Sequence, residues 1–146
     1  MQFLKIVVTG GKSNWLSQKS VEAYDHYKNK WTCLPDMIQE RSYHAAVSMG
    51  NKMFVIGGEK TINCEMFDSF SREFTKICSK IIVSELKGWL FYAFSIGKQI
   101  VVFQDFEKPS TRTVVYLYDI DNEKWINVQC DFTKNMFESS FVKYYT

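Results

Sequence analysis

KMFVIGG (Lys52 to Gly58) decides how this chain is read, because KIVVTGG (Lys5 to Gly11) is the same phrase 47 residues earlier. Each starts on a lysine, passes through a short run rich in β-branched or aromatic residues, and closes on two glycines, Gly10–Gly11 or Gly57–Gly58. Such runs suit buried strands. Paired glycines after them permit positive φ and allow backbones to crowd where a side chain would clash. Another step of 47 lands on QIVVFQD (Gln99 to Asp105), where the apolar run persists and Gln104–Asp105 replaces the glycines. A fixed period of this size is the mark of a repeat architecture and outranks any local reading.

Two further landmarks keep the same beat. VEAYDHYKNKW (Val21 to Trp31), CEMFDSFSREF (Cys64 to Phe74) and VYLYDIDNEKW (Val115 to Trp125) each hold an aromatic, an aspartate, and a second aromatic six residues after the aspartate. The sets are Tyr24–Asp25–Trp31, Phe67–Asp68–Phe74 and Tyr118–Asp119–Trp125. Aspartate opens a turn by accepting hydrogen bonds from the amides that follow it, and the second aromatic starts the next strand with a large packing face. The third landmark precedes the glycines: RSYHAAVSMG ends at Gly50 and KGWLFYAFSIG at Gly97, and a further step reaches MFESSFVKYYT at Met136 to Thr146. No helical period is sustained, so the pattern predicts an all-β chain.

Bulk properties agree with a globular domain. The 146 residues are 46% hydrophobic, 16% aromatic and 23% charged, which is not the composition of a disordered chain. The net charge is +2 and the lysines and arginines are scattered, which excludes a nucleic-acid or membrane patch. No apolar stretch approaches a membrane span, and Lys5 and the glycine pair break up any signal peptide at the start. Cys33, Cys64, Cys78 and Cys130 show no zinc spacing and read as ordinary, mostly buried thiols in a reducing, cytoplasmic setting.

Strand, glycine pair, aromatic–aspartate pair and a later tryptophan, repeated at roughly 50 residues, resemble the kelch motif. KWTCLPDMIQERSYHAAV (Lys30 to Val47) is similar to the connector of kelch-like proteins, with its leucine–proline, methionine and arginine. The resemblance implies a partial β-propeller of three four-stranded antiparallel blades, at about residues 1–35, 36–82 and 83–130 with a terminal strand at 136–144. The first blade would begin at its second strand. The second has Phe74 in place of the usual tryptophan, and the third, lacking glycines, would have a reshaped turn from Asp105 to Thr113. Three blades are fewer than the roughly four to eight of most propellers. An open arc would expose an apolar face at each end, so the chain is expected to belong to a longer propeller or to self-associate, for example as two copies exchanging terminal strands.

Function in that family lies in the loops, and the resemblance implies protein binding. Trp15, Arg41, Tyr43, Lys60, Trp89 and Arg112 are the candidate contacts, since large aromatics and arginines dominate binding hot spots. Arg41 stands where kelch-like receptors place an arginine that meets acidic peptides; it could equally satisfy backbone carbonyls. The expected partner is a ubiquitination substrate, as for kelch-like adaptors of cullin ubiquitin ligases, although no BTB domain or helical linker is expected within these residues. Actin or another cytoskeletal protein is the alternative. Catalysis is not expected, nor a cofactor or metal. His26 reads as a solvated turn residue and His44 as a half-buried strand residue. Cys33–His44 and Ser42–His44 lack a third member, Gly11–Lys12–Ser13 lacks the upstream glycine of a phosphate loop, and no copper-oxidase ligand pattern is present.

Overall fold

The computed structural model describes residues 5–59, 61–77, 90–105 and 114–128. Across them the chain is all-β. The first sheet has the order β1 (Lys5–Thr9), β4 (Val21–Asp25), β5 (Lys30–Leu34), and a small hairpin of β2 (Lys12–Ser13) and β3 (Leu16–Ser17) is inserted in it. The second sheet runs β6 (Ala45–Met49), β7 (Lys52–Ile56), β8 (Cys64–Asp68), β9 (Glu73–Ile77). The third runs β10 (Leu90–Ile96), β11 (Gln99–Asp105), β12 (Val114–Asp119), β13 (Lys124–Val128). All pairings are antiparallel between chain neighbours, apart from β1 with β4, which are joined through the hairpin. The terminal strand expected at 136–144 lies outside the described residues.

The aromatic–aspartate–aromatic spacing is a register device. Tyr24 pairs with Trp31, Phe67 with Phe74 and Tyr118 with Trp125 directly across two strands. Their ring centroids are 5.1, 5.0 and 4.9 Å apart and the planes are tilted by 40–43°, an arrangement worth more than the buried area alone. The intervening turn is built the same way each time. Asp25 Oδ1 accepts from the amides of Tyr27 and Lys28, Asp68 Oδ1 from that of Phe70, and Asp119 Oδ1 from those of Asp121 and Asn122. Four residues after each aspartate the backbone turns through positive φ, at Asn29 (46°), Arg72 (60°) and Glu123 (49°), and the next strand begins one residue later.

The glycine pairs mark where strands must stop. A Cβ on Gly10 would lie 2.5 Å from the Arg41 carbonyl oxygen, and one on Gly57 would lie 2.7–2.9 Å from the Phe91 ring. Both residues also have positive φ, 56° and 66°. The third sheet has no such pair, and there β11 runs on through Gln104 and Asp105 to seven residues, against five in β1 and β7. Without glycine to take the chain through positive φ, pairing simply continues. The rest of that turn, 106–113, lies outside the described residues.

Alternation along the strands gives each sheet two packing faces. Val21 and Met37 meet Val55 between the first and second sheets. Ala45, Phe54, Ile56 and Cys64 meet Phe91, Ile100, Val102, Tyr116 and Tyr118 between the second and third. β6 and β10 lie against each other, so the two complete sheets stack through their first strands. Cys64 is buried, its thiol pushed up to about 12 chiefly by burial. Cys33 is exposed, because it lies on a sheet face that no other described sheet covers.

Candidate functional site

The β2–β3 hairpin stands at the end of the sheets where the glycine pairs lie. Its two central residues, Asn14 (φ 48°) and Trp15 (φ 66°), both have positive φ, the pattern of the tight turn that suits twisted hairpins. Glycine is favoured at the second position. A tryptophan there is rare, and the left-handed backbone costs an L-residue about 1–2 kcal/mol. The result is an indole held out at the hairpin tip, 90% exposed, followed by an exposed Leu16. A tryptophan in the position that favours glycine is what hides this hairpin in the sequence.

Tyr43 is the second aromatic of the site, exposed and also at positive φ (57°). Lys12 ties it to the hairpin. The ammonium lies 4.9 Å from the Tyr43 ring centroid and 2.9 Å from Glu59 Oε2, and Ser42 Oγ donates to the same carboxylate at 3.0 Å. Ser17 and Ser42 hydroxyls share a 3.0 Å bond beneath the surface, and backbone bonds join Gln18 to Gly11 and Arg41 to Gln18. Three segments, the hairpin, the 35–44 connector and the loop after β7, thereby form one surface. Bulky residues held in uncommon backbone conformations are characteristic of binding sites, where surrounding contacts enforce the strain.

Arg41 corrects the sequence reading. Its side chain is fully buried and forms no part of the surface. Nη1 donates to the carbonyls of Gly57 (2.7 Å) and Asn63 (2.6 Å), and Nη2 donates to Glu65 Oε1 at 2.7 Å. Glu65, equally buried, also accepts from the amides of Ile38 (2.7 Å) and Gln39 (3.0 Å). The pair therefore pins the connector onto the second sheet. Satisfying carbonyls, the alternative left open for Arg41, is part of its actual work. Glu65 was not singled out from sequence. Its one signal is a carboxylate at an inward position of CEMFD, between residues that belong to a core strand.

His44 sits just before β6, half-buried, rather than within the strand. Nε2 and Thr9 Oγ1 are 2.7 Å apart. Burial, then the neighbouring Arg41 charge, lowers its pKa to about 4, with Glu65 opposing. The imidazole is therefore neutral at physiological pH. Ser42 bonds to Ser17 and Glu59, and His44 to Thr9, so the Ser42–His44 pair drawn from sequence does not form. Among the described residues no group of three His, Cys, Asp or Glu is placed to hold a metal ion. Lys60, Trp89 and Arg112 lie outside the described residues.

The Kelch motif family model matches residues 5–38 and 40–68, the two stretches that carry the glycine pairs, the Tyr24–Trp31 pair and the Phe67–Asp68 step. Those two stretches are kelch motifs. Kelch-like protein 38 of Rattus norvegicus is 38% identical over 68 residues, 46% of this chain and 11% of the relative. Kelch-like protein 40 of Xenopus laevis is 38% identical over 61 residues, 42% and 10%. Kelch-like protein 7 of Mus musculus matches more of the chain, 28% identical over 111 residues, 73% and 18%. The matched region thus spans about a tenth to a fifth of these kelch-like proteins. Kelch repeats generally mediate binding to other proteins, and the fold has the form of propeller blades. No helix of the described residues is long and apolar enough to cross a membrane.

Proposed function

We propose that this chain is a protein-binding module whose docking end is the surface of Trp15, Leu16, Lys12 and Tyr43, and that its partner is a protein selected for ubiquitination. The observation that carries the reading is Trp15, 90% exposed and held at positive φ at the tip of a hairpin. An indole so placed is costly to the fold and gains nothing from the core. Buried under a partner it becomes a hot-spot anchor. The adaptor part of the reading rests on the resemblance to kelch-like adaptors, and the matches to kelch-like proteins support a protein-binding module. The exposed Cys33 thiol suits a reducing, cytoplasmic setting.

Affinity capture with the whole chain, compared against a Trp15→Ala/Tyr43→Ala double variant, tests this. Proteins held by the wild type should be lost from the variant, and ubiquitinated forms should be enriched among them. An unchanged set of captured proteins contradicts the placement of the site. Capture of actin filaments, checked by co-sedimentation, would replace the ubiquitination reading with the cytoskeletal one.

A further inference from the structure

A cleft lies between the first and second sheets, at the end where β6 turns into β7 and β8 into β9, away from the Trp15 surface. Its volume is about 610 Å³, within the roughly 300–1,000 Å³ of small-molecule sites. Lys5, Val7, Ala23 and Leu34 line it from the first sheet, and Met53 and Phe67 from the second.

The repeat explains why the space exists. Val7 pairs with Ala23 in the first sheet, Phe54 with Met66 in the second, and Val101 with Leu117 in the third. These three pairs occupy equivalent positions, as do Phe67 and Tyr118. Between the second and third sheets Phe54 fills the gap. Its ring centroid is 6.2 Å from that of Tyr118, and Met66 packs against the same core. Between the first and second sheets the matching residues are Val7 and Ala23, facing Phe67. A phenyl ring and a thioether chain are missing there, and Val7 is 37% exposed where Phe54 is 2%. The missing volume is therefore that of an aromatic group beside Phe67.

The rim of the cleft is positive. Lys5, Lys52 and Arg72 line it, and no carboxylate of the described residues does. Asp68 stands opposite Lys52 in register and offsets that charge. Lys5 and Arg72 form no ion pair with a described residue. The carboxylates that face the two lysines across the strands are engaged in turns. Asp25 Oδ1 accepts from the amides of Tyr27 and Lys28, and Asp68 Oδ1 accepts from the Phe70 amide and Asn51 Nδ2. An apolar floor under an uncompensated positive rim suits a ligand with an apolar body and an anionic head.

We propose that this cleft binds a small aromatic carboxylic acid, its ring beside Phe67 in the space left by Val7 and Ala23, and its carboxylate at the rim formed by Lys5 and Arg72. The site stands at the opposite end of the strands from Trp15, so this proposal and the docking of a protein at the hairpin succeed or fail separately.

Titration of phenylbutyrate into the isotope-labelled whole chain, followed by amide correlation NMR, tests it. Saturable shifts should centre on Ala23, Gly50 and Ser69 and leave Trp15 and Tyr43 in place. Phenylbutylamine, a similar body with a positive head, should bind at least about tenfold more weakly, and Lys5→Gln and Arg72→Gln should each weaken phenylbutyrate binding about two- to fivefold. Ala23→Met places the second sheet's residue in the first, and it should fill the cleft and abolish the shifts. A wild type without saturable shifts overturns the proposal. So do shifts centred on the Trp15 end, equal binding of the amine, or binding that survives Ala23→Met. Where Ala23→Met loses the dispersed spectrum of the folded chain, Val7→Phe makes the same test, and where both do, the wild-type shift map and the comparison with the amine decide.

Discussion

Glu65→Gln isolates the interaction that holds the connector in place. The carboxylate accepts three bonds: Ile38 N–H on Oε2, and Gln39 N–H and Arg41 Nη2 on Oε1. A glutamine keeps one acceptor. If its oxygen stays with Arg41, its amide group faces the Ile38 N–H, donor against donor. That leaves a buried donor unsatisfied, at about 1–3 kcal/mol, besides stripping the guanidinium of its counter-charge. Breaking a buried pair from one side generally costs about 3–5 kcal/mol, a large share of the roughly 5–15 kcal/mol of a typical domain. With a urea slope of about 2 kcal/mol per molar, the midpoint should fall by about 2 M. The measurement is urea unfolding followed by circular dichroism at one fixed protein concentration, which keeps any self-association constant. The double variant Arg41→Met/Glu65→Leu should lose clearly less than the two single changes summed, because neither buried charge is then left alone. A Glu65→Gln midpoint within about 0.3 M of wild type would refute the reasoning, as would strict additivity of the two sites.

Other expectations follow from single residues. Gly57→Ala should destabilise strongly, since its Cβ meets the Phe91 ring, while Gly97→Ala, with the same sign of φ and open space around it, should cost only about 1 kcal/mol of backbone strain; thermal unfolding compares them. Trp15→Gly should raise stability by up to about 1 kcal/mol and abolish partner capture, a trade that no purely structural role of Trp15 allows. His44, with its pKa lowered from 6.5 to about 4, contributes stability that is full above 6.5 and declines as pH falls toward 4, because the unfolded chain then binds the proton more readily. His44→Gln should flatten that part of the pH–stability curve. In the native protein a thiol reagent followed by mass mapping should label Cys33 and spare Cys64, whose thiol is buried and held protonated.

What the sequence makes legible is what repeats. Register, turns and strand ends recur with Tyr24–Trp31, Phe67–Phe74 and Tyr118–Trp125, and each rests on local spacing that a single chain displays three times. What occurs once is harder to see. The hairpin at Asn14–Trp15 has no counterpart among the described residues and puts its tryptophan where composition would call for glycine. Arg41 looks like a surface arginine because its partner, Glu65, is 24 residues away and ordinary in isolation. Burial is a property of the assembled sheets. For the same reason Trp31 reads like Phe74 and Trp125, although no sheet of the described residues covers it.

The most direct test of protein docking at the hairpin end is photo-crosslinking in cells, with a benzophenone amino acid replacing Trp15 in one protein and Phe70 in another. Phe70 is 84% exposed in the β8–β9 turn, at the other end of the strands, so it matches Trp15 in accessibility and differs in place. Discrete protein adducts at position 15 and none at position 70 are predicted. Adducts at 70 alone, or equal labelling from both, would contradict the account.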